Sequence, residues 1–449
     1  MRVWNFSRCL FGICASAMLS SCGGSQPPIG GGPGSVPQGD AIAAHAERGG
    51  SWIVRSTAGQ DLTDAISAHR SAYRQLFVFG TPSGKCPGGA NPYGNLVAVN
   101  GLFYGTTFGG GANGGGTIFT VTKSGLENVL YSFSGHNKYG GFGGGPKAGL
   151  VAINRTLYGT TPANGDYYDG GMVFAIGTSG KHERVLHSFG PKGDGDSPQA
   201  NVIDAGGTLY GTTFQGGAYG NGTVFGVNPK TGAEKLIYSF RGKPGDGRQP
   251  QADLLAVHGT LYGTTTYGGA NDDGTVFAID IKSGAERVVH NFSGEPDGLD
   301  PQAGLINLNG TLYGTTAAGG TKNFGTIFSL TPSGSERVLY SFMNSPDGEN
   351  PRADLINVNG TLYGTTAQGG AFETSSGGTL FSFDVATGSE RVLHSFGGGT
   401  DGAYPIAALL AFHGWLYGTT VGGGPYYSTC VTSGEEAVGT VFARRLSAR

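Results

Sequence analysis

The chain has few charged residues and few cysteines. Charged side chains make up 13% of its 449 residues, and the formal net charge is −3. Because no excess of basic side chains creates a field that attracts phosphate backbones, nucleic acid is not an expected partner. The chain has only five cysteines, whereas 11% aromatic residues and many Val, Leu and Ile residues can supply a packed core.

Recognisable catalytic motifs are also lacking. The sequence contains no His-Glu-x-x-His and no Gly-x-Ser-x-Gly motif. The segment 80–85 is one residue short of a phosphate-binding loop, and Cys86 follows it where Ser or Thr would be needed. His187, His290 and His394 occupy a position that carries Tyr in other repeats, so we interpret them as core substitutions. The sequence therefore predicts no catalytic residue, no metal site and no cofactor.

No apolar run near the N-terminus is long enough for a stable membrane span. Residues 9–19 form a short apolar segment after a basic start, which is typical of an export signal. The following Leu19-Ser20-Ser21-Cys22-Gly23 resembles a bacterial lipobox. We therefore expect a signal peptide at 1–21, and lipidated Cys22 with a flexible Gly/Pro/Ser-rich tether at 22–72. The alternative is ordinary cleavage nearby, which would leave a secreted soluble protein.

Glycine, in contrast, is abundant and periodic. The chain has 87 glycines and seven versions of Leu-Tyr-Gly-Thr-Thr. Their tyrosines are residues 104, 158, 210, 262, 313, 363 and 417, separated by 50 to 54 residues. A period of about 50 residues, rich in β-formers, is typical of a β-propeller blade. The sequence thus predicts an all-β protein with one seven-bladed propeller over residues 73–449.

Each repeat contains four predicted strands, called a to d. In one copy, strand a begins at Ala353 and ends at the turn Asn359-Gly360, and strand b is Thr361–Thr366. Strand c begins at Gly378-Thr379, and strand d covers 390–396. Tight turns should join a to b and c to d on one face, while longer b–c and d–a loops share the other face.

The two ends of the repeat region predict how the ring closes. The last copy has strands a, b and c but no d strand, whereas residues 73–79 match the d pattern and stand alone before the first a strand. The N-terminal strand should therefore complete the seventh blade and remove a sheet edge. Cys86 and Cys430 would then lie on one face of this composite blade, so we expect a disulfide between them in an exported protein. Two unpaired thiols are the alternative.

These motifs resemble the GloVer tandem repeat of bacterial exported proteins. The recurring elements are Thr-Leu-Tyr-Gly-Thr-Thr, Gly-Gly, Gly-Thr-Val/Ile-Phe, Ser/Thr-Gly and Glu-Arg-Val-Leu-Tyr/His-Ser-Phe, in this order across residues 73–444. The resemblance implies a surface-displayed repeat protein without a defined activity, and it carries no catalytic residues.

The long-loop face is the expected binding surface. Its d–a loops repeat Asp-Gly before Pro, with Asp196, Asp246, Asp297, Asp347 and Asp401 as the acidic residues; we interpret them as structural turns rather than Ca²⁺ ligands. Its b–c loops carry aromatic residues among amides, which suits stacking on sugars and hydrogen bonding to hydroxyls. These aromatic residues are Tyr167, Tyr168, Phe214, Tyr219, Tyr267, Phe324, Phe372, Tyr426 and Tyr427. Loop packing is the alternative role for them.

These observations favour a lipid-anchored, monomeric protein at the bacterial cell surface or outer membrane. We expect a non-catalytic binding or adhesion module for a glycan or another surface polymer. The alternatives are a propeller hydrolase or lyase acting on polysaccharide, and a purely structural repeat protein. Two carboxylates that converge at the channel mouth with shifted pKa values would favour the enzyme.

Overall fold

A computed structural model describes residues 72–81, 83–134, 145–163, 170–190, 193–242, 244–372, 377–397, 400–425 and 438–446. The predicted signal peptide, Cys22 and nearly all of the tether lie outside these residues and stay predictions. Among the described residues, no helix has the length and apolar character that a membrane crossing needs.

Seven four-stranded antiparallel sheets form the blades, numbered 1 to 7 along the chain. The a strands of blades 1 to 7 are Val97–Val99, Val151–Ile153, Ile203–Ala205, Leu255–Val257, Ile306–Leu308, Ile356–Val358 and Leu410–Phe412. The b strands are Leu102–Thr107, Thr156–Thr161, Thr208–Thr213, Thr260–Thr265, Thr311–Thr316, Thr361–Thr366 and Trp415–Thr420. The c strands are Gly114–Val121, Met172–Gly177, Thr223–Val227, Thr275–Asp280, Thr326–Leu330, Thr379–Asp384 and Thr440–Arg445. The d strands are Glu127–Ser134, Arg184–Ser188, Glu234–Ser239, Glu286–Asn291, Glu336–Ser341, Ser389–Ser395 and, for blade 7, Tyr73–Val78.

The seventh blade confirms the predicted closure. Its strands pair in the order d, c, b, a, with the N-terminal strand hydrogen-bonded antiparallel to the last strand of the chain. The register places Tyr73 opposite Arg444 and Val78 opposite Thr440. Because every blade then has a full set of strands, the ring has no open seam.

The a–b turns have the backbone that the Asn-Gly pairs predict. Asn309 and Gly310 both have positive φ, +53° and +85°, as the two-residue hairpin turn requires. In blades 4 and 7 the first turn residue is His258 or His413, with φ of +49° and +48°. These histidines occupy the Asn position of the turn and adopt the same positive φ, so we interpret them as turn residues.

Residues of the repeated b-strand motif make contacts both between neighbouring blades and within one blade. Its tyrosines pack between neighbouring blades; Tyr210 of blade 3 shares an apolar cluster with Leu261 and Phe277 of blade 4. The last Thr of the motif forms a buried hydroxyl pair with the first Thr of strand c, as Thr265 does with Thr275 at 2.8 Å. Blade 2 is the described exception, because Met172 faces Thr161 there.

The glycine that follows this Tyr in every repeat is needed within its own blade rather than between blades. Close approach of a neighbouring blade is the simplest expectation for a mid-strand glycine. In the structure, a Cβ on Gly263 would lie 2.5 Å from Cζ of Phe277, the residue opposite it in the same blade. The glycine therefore makes room for the strand c phenylalanine inside the sheet.

Two further features differ from the sequence expectation. Strand a has only three residues, so Ala353 and Asp354 belong to the loop that leads into it rather than to the strand. Three short two-stranded sheets also link d–a loops to b–c loops, and Gly247 opposite Gly268 is an example. A Cβ on Gly247 would lie 2.4 Å from the Thr265 hydroxyl oxygen, so only glycine permits this pairing.

Candidate functional site

The a strands of neighbouring blades contact one another and surround the central channel. Each a strand is preceded by a repeated Pro-x-Ala-x-Leu segment, or a close variant, which brings polar side chains to the channel mouth on the long-loop face. These segments line a cavity of about 100 Å³. Its polar lining includes Asn95, Lys147, Asn201, Asp253, Arg352 and Asp354.

Asp253 ties three blades together in this cavity. Its carboxylate accepts hydrogen bonds from the backbone nitrogen of Asn201 at 2.8 Å and from Nδ2 of the same residue at 2.5 Å. That Nδ2 also donates to Oδ1 of Asn95 at 3.0 Å. Burial raises the pKa of Asp253, and the bonds from Asn201 oppose the rise. The side chains of blades 1, 3 and 4 are thus linked at the mouth.

Asp354 is the second carboxylate at the mouth. Its Oδ1 accepts a 2.5 Å hydrogen bond from the backbone nitrogen of Gly304 in the neighbouring blade. Burial first, and then the negative charge of Asp253, raise the pKa of Asp354 to about 7. Two carboxylates with raised pKa values therefore meet at the channel mouth, which is the arrangement that would favour an enzyme.

The size of the cavity limits what this pair can do. Sites for small molecules usually have volumes of about 300–1,000 Å³, well above the volume enclosed at this mouth. Both carboxylates are also used as acceptors by backbone nitrogens of adjacent blades. The arrangement suits a structural link with room for a few waters better than a site that encloses a sugar.

The aromatic residues of the long-loop face differ in exposure. Tyr219, Tyr267 and Phe372 are among the exposed large apolar side chains, at 55%, 39% and 42%. Phe324, in contrast, packs against the apolar cluster around Phe342, and Phe214 is half-buried. Tyr167, Tyr168, Tyr426 and Tyr427 lie outside the described residues.

Tyr267 is held in place by charged neighbours. The guanidinium of Arg248 lies over its ring, 4.8 Å from the centroid. Nε and Nη2 of Arg248 each donate to a carboxylate oxygen of Asp272 at 3.1 Å. In the adjacent blade, the Arg241 guanidinium lies 5.8 Å from the centroid of Tyr219. Two blades therefore present exposed tyrosines, each beside an arginine.

The amides of these loops are largely used by the protein itself. Nδ2 of Asn221 donates to the backbone oxygen of Arg241 at 2.9 Å, and Nδ2 of Asn271 donates to that of Phe292 at 3.0 Å. The Nδ2 groups of these two asparagines are therefore already used within the protein, contrary to the expectation that the loop amides supply hydrogen bonds to a ligand. Exposed aromatic faces and neighbouring guanidinium groups are the groups of these loops that stay accessible to solvent.

A repeated polar network, which sequence reasoning missed, lies between neighbouring blades beside the d–a loops. The aspartate of each Asp-Gly element bonds the Tyr or His of the preceding d strand, as Tyr238 does with Asp246 at 2.9 Å. In the loop after blade 2 this aspartate is Asp194, not Asp196, because Asp194 has the same spacing to Pro as the others. The constant spacing of seven residues between His187 and Asp194, and between His290 and Asp297, was the available signal.

A glutamate from the next blade completes the network. Six d strands carry an aligned glutamate at their start, and Glu183 of blade 2 is the exposed one. In the other five, Oε1 is buried without a hydrogen-bond partner among the described residues; they are Glu127, Glu234, Glu286, Glu336 and Glu390. Burial raises the pKa of Glu127 and of Glu336 to about 7 and that of Glu390 to about 8. His187 and His290 belong to this network and are only partly core residues, with 21% and 17% of the side chain exposed.

The likeness of the chain to solved structures is limited to the fold. It is similar to an oligogalacturonate lyase in complex with manganese, at 14% identity and a TM-score of 0.48, over 82% of this chain and 90% of that one. The nidogen/laminin complex gives 13% identity and a TM-score of 0.40, over 66% and 92%. A gluconolactonase from Xanthomonas campestris gives 14% and 0.35, over 55% and 74%. These likenesses carry no information about activity.

Family membership, in contrast, is clear. None of the curated proteins compared with the chain matches it. The Gloeobacter/Verrucomicrobia repeat model matches residues 70–257 and 216–432, which together span nearly the whole ring. The repeat motifs, the seven blades and this match agree, so the chain belongs to the Gloeobacter/Verrucomicrobia repeat family.

Proposed function

We propose that the protein is a non-catalytic binding or adhesion module for a glycan or another surface polymer. The observation that carries the proposal is the exposed ring of Tyr267, fixed by Arg248, which Asp272 holds in turn. A flat aromatic face that is already ordered loses little conformational entropy when it stacks on a ligand. Tyr219 in the neighbouring blade is also exposed and lies beside an arginine, Arg241, which suits a repeating polymer.

The proposal places the protein at the bacterial surface on a lipid attached to Cys22, with the long-loop face free to meet its ligand. The lipobox-like sequence and the Gly/Pro/Ser-rich tether support this location. Replacing Cys22 by Ala should abolish labelling by a radioactive fatty acid and shift the protein from the membrane fraction. Unchanged labelling in that variant would rule out the lipid anchor.

A polysaccharide hydrolase or lyase is the second candidate, because Asp253 and Asp354 meet at the channel mouth with raised pKa values. Their bonds to neighbouring blades and the volume of about 100 Å³ favour a structural role for them. A purely structural repeat protein is the third candidate, and it would have no ligand.

Binding of the purified full-length chain to a glycan array and to isolated cell-surface polymers tests the proposal. The triple variant Y219A/Y267A/F372A should lose at least about tenfold in affinity for any ligand found, since stacking on sugar rings depends on these faces. L126A is the matched control, because Leu126 is 72% exposed but lies in a c–d turn on the opposite face.

The same experiment separates the three candidates. Equal loss in the triple variant and in L126A would contradict binding through the aromatic residues. Release of shorter products from a bound polymer, abolished by D354N, would replace the binding module by the enzyme. Absence of binding to every glycan and surface preparation would leave a purely structural repeat protein as the remaining candidate.

A further inference from the structure

Two of the networks between neighbouring blades contain histidine as well as two carboxylates. One consists of His187 and Asp194 with Glu234 of the next blade, and the other of His290 and Asp297 with Glu336. In each trio, one ligand atom per residue lies within 4.8 Å of the other two. These are the groups of this kind among the described residues, and each is built from two blades.

The first trio is held by the fold in an open arrangement. Nε2 of His187 lies 3.1 Å from Oδ2 of Asp194, while Oδ1 of the same carboxylate accepts a 2.7 Å bond from the nitrogen of Gly195. The backbone bond orients the carboxylate and leaves Oδ2 directed at the histidine. Oε1 of Glu234 is buried and has no hydrogen-bond partner among the described residues. One acceptor of the trio is therefore unsatisfied.

The second trio has the same arrangement, but Ser293 competes for the Asp297 oxygen that faces the histidine. Nε2 of His290 lies 3.1 Å from Oδ2 of Asp297, and Oε1 of Glu336 is again buried without a partner. Here Oδ2 of Asp297 also accepts from the nitrogen of Ser293 at 3.1 Å and from its hydroxyl at 3.3 Å. The oxygen directed at the histidine is thus better satisfied than in the first trio.

Blades with tyrosine at the histidine position provide an internal comparison. The Tyr238 hydroxyl donates to Asp246 at 2.9 Å and lies 3.4 Å from Oε2 of Glu286, so a neutral donor bridges the two acids. The Tyr340 hydroxyl donates to Asp347 at 3.0 Å in the same way. A tyrosine hydroxyl can only donate its proton to these acids, whereas an imidazole whose proton is on Nδ1 can present the Nε2 lone pair to a metal ion.

We propose that each His-Asp-Glu trio binds one divalent transition-metal ion such as Zn²⁺. One imidazole nitrogen and two carboxylate oxygens form a three-ligand set that leaves a position for water or for an outside ligand. A tetrahedral ion with bonds of about 2.0–2.2 Å would separate its ligands by roughly 3.4 Å, so shifts of about 1 Å suffice. The ion would neutralise two acids that face each other across the blade boundary.

Solvent access to the first trio and the chemical type of its ligands support the choice of Zn²⁺. About one fifth of the His187 side chain and 13% of the Asp194 side chain are exposed, so solvent reaches the trio. An imidazole ligand favours Zn²⁺ and its neighbours over Ca²⁺, which prefers six or more oxygens. We expect the first trio to bind more tightly than the second, because Ser293 does not compete there.

Zn²⁺ binding to the purified full-length chain without a histidine tag tests the proposal, measured by competition with a chromophoric chelator at micromolar free Zn²⁺. The wild-type chain should bind two ions, H187Y and H290Y one each, and H187Y/H290Y none. These variants should fold, because tyrosine occupies the same position in blades 3 and 5. E234Q/E336Q keeps the shape of the side chains and should weaken binding at least tenfold.

H258N/H413N is the matched control for loss of two histidines. His258 and His413 lie in a–b turns at positions that carry Asn in other blades, so this variant should keep both ions. Absence of Zn²⁺ binding in the wild type, or equal binding in H187Y/H290Y, would overturn the proposal. Loss of binding in H258N/H413N would also overturn it, as would displacement of Zn²⁺ by an equal concentration of Ca²⁺.

Discussion

The ring of Tyr73 stacks on the ring of His394, with centroids 3.8 Å apart and planes 7° from parallel. The tyrosine hydroxyl also donates to the backbone oxygen of Asp401 at 2.8 Å. Tyr73 begins the strand that closes blade 7, whereas His394 and Asp401 belong to blade 6 and the loop after it. This one side chain therefore joins the N-terminal strand of blade 7 to blade 6 and the loop after it.

Replacing Tyr73 by Ala should destabilise the ring by about 2–3 kcal/mol, since it removes a partly buried aromatic side chain and one hydrogen bond. Y73F should cost only about 1 kcal/mol, because it keeps the stacking and loses the hydroxyl. Urea unfolding of both variants measures the difference. L126A, at an exposed turn, serves as the control and should change stability by less than about 0.5 kcal/mol; an equal loss in Y73A and L126A would contradict the closing role.

A disulfide between Cys86 and Cys430 should reinforce the same blade. Cys86 is 5% exposed and packs in the cluster that contains Phe79 of the closing strand, whereas Cys430 lies outside the described residues. We expect mass spectrometry of a non-reduced digest to show the linked peptides in exported protein. C86S/C430S should lower the free energy of unfolding by about 3 kcal/mol, since the bond closes a long loop. Free thiols at both positions would refute the pairing.

Adding a methyl group at Gly263 should disrupt the interior of blade 4. The new Cβ would lie 2.5 Å from Cζ of Phe277 and 3.0 Å from Cδ2 of Leu254. G263A should therefore cost about 2 kcal/mol of unfolding free energy through overpacking. Replacing Phe277 by Leu in the same chain should recover part of the loss, so the double variant is less destabilised than the sum. Additive losses would show that the clash is not with Phe277.

Stability should fall as pH rises from about 5 to 8. Burial, and then the negative charge of Asp347, raise the pKa of Glu390 to about 8, well above the ordinary value near 4.3 of the unfolded chain. Between these values the folded chain binds more protons than the unfolded one, so its stability decreases with pH. Burial raises the pKa of Glu286 to about 7 and acts in the same direction.

Replacing Glu390 by Gln isolates this effect. The glutamine side chain that E390Q introduces cannot ionise. The free energy of unfolding of E390Q minus that of the wild type should therefore be larger at pH 8 than at pH 5. Thermal unfolding at a series of pH values measures the two curves. Parallel curves for E390Q and the wild type would mean that the Glu390 carboxyl does not contribute to the pH dependence.

Much of the fold was predictable because its signals are local and repeated. The Asn309-Gly310 turn and the strand alternation around Tyr313 are set by residues that are adjacent in sequence. The closing strand was predictable because residues 73–79 carry the same pattern as other d strands. The length of strand a was harder to predict, because Ala353 and Asp354 resemble strand residues but lie in the loop that lines the channel mouth.

The sequence by itself determined the number of blades, the order of strands within each and the way the ring closes, because a seven-times repeated pattern allows few other arrangements. Only the tertiary structure decided which polar groups meet. Glu234 reaches His187 and Asp194 because the ring places blades 2 and 3 side by side. Asp354 of blade 6 approaches Asp253 of blade 4 because the ring brings the segments before the a strands together at the channel mouth. The physical reason is that a repeat specifies its own hairpins through local turns, whereas contacts between blades depend on the closed geometry of all seven.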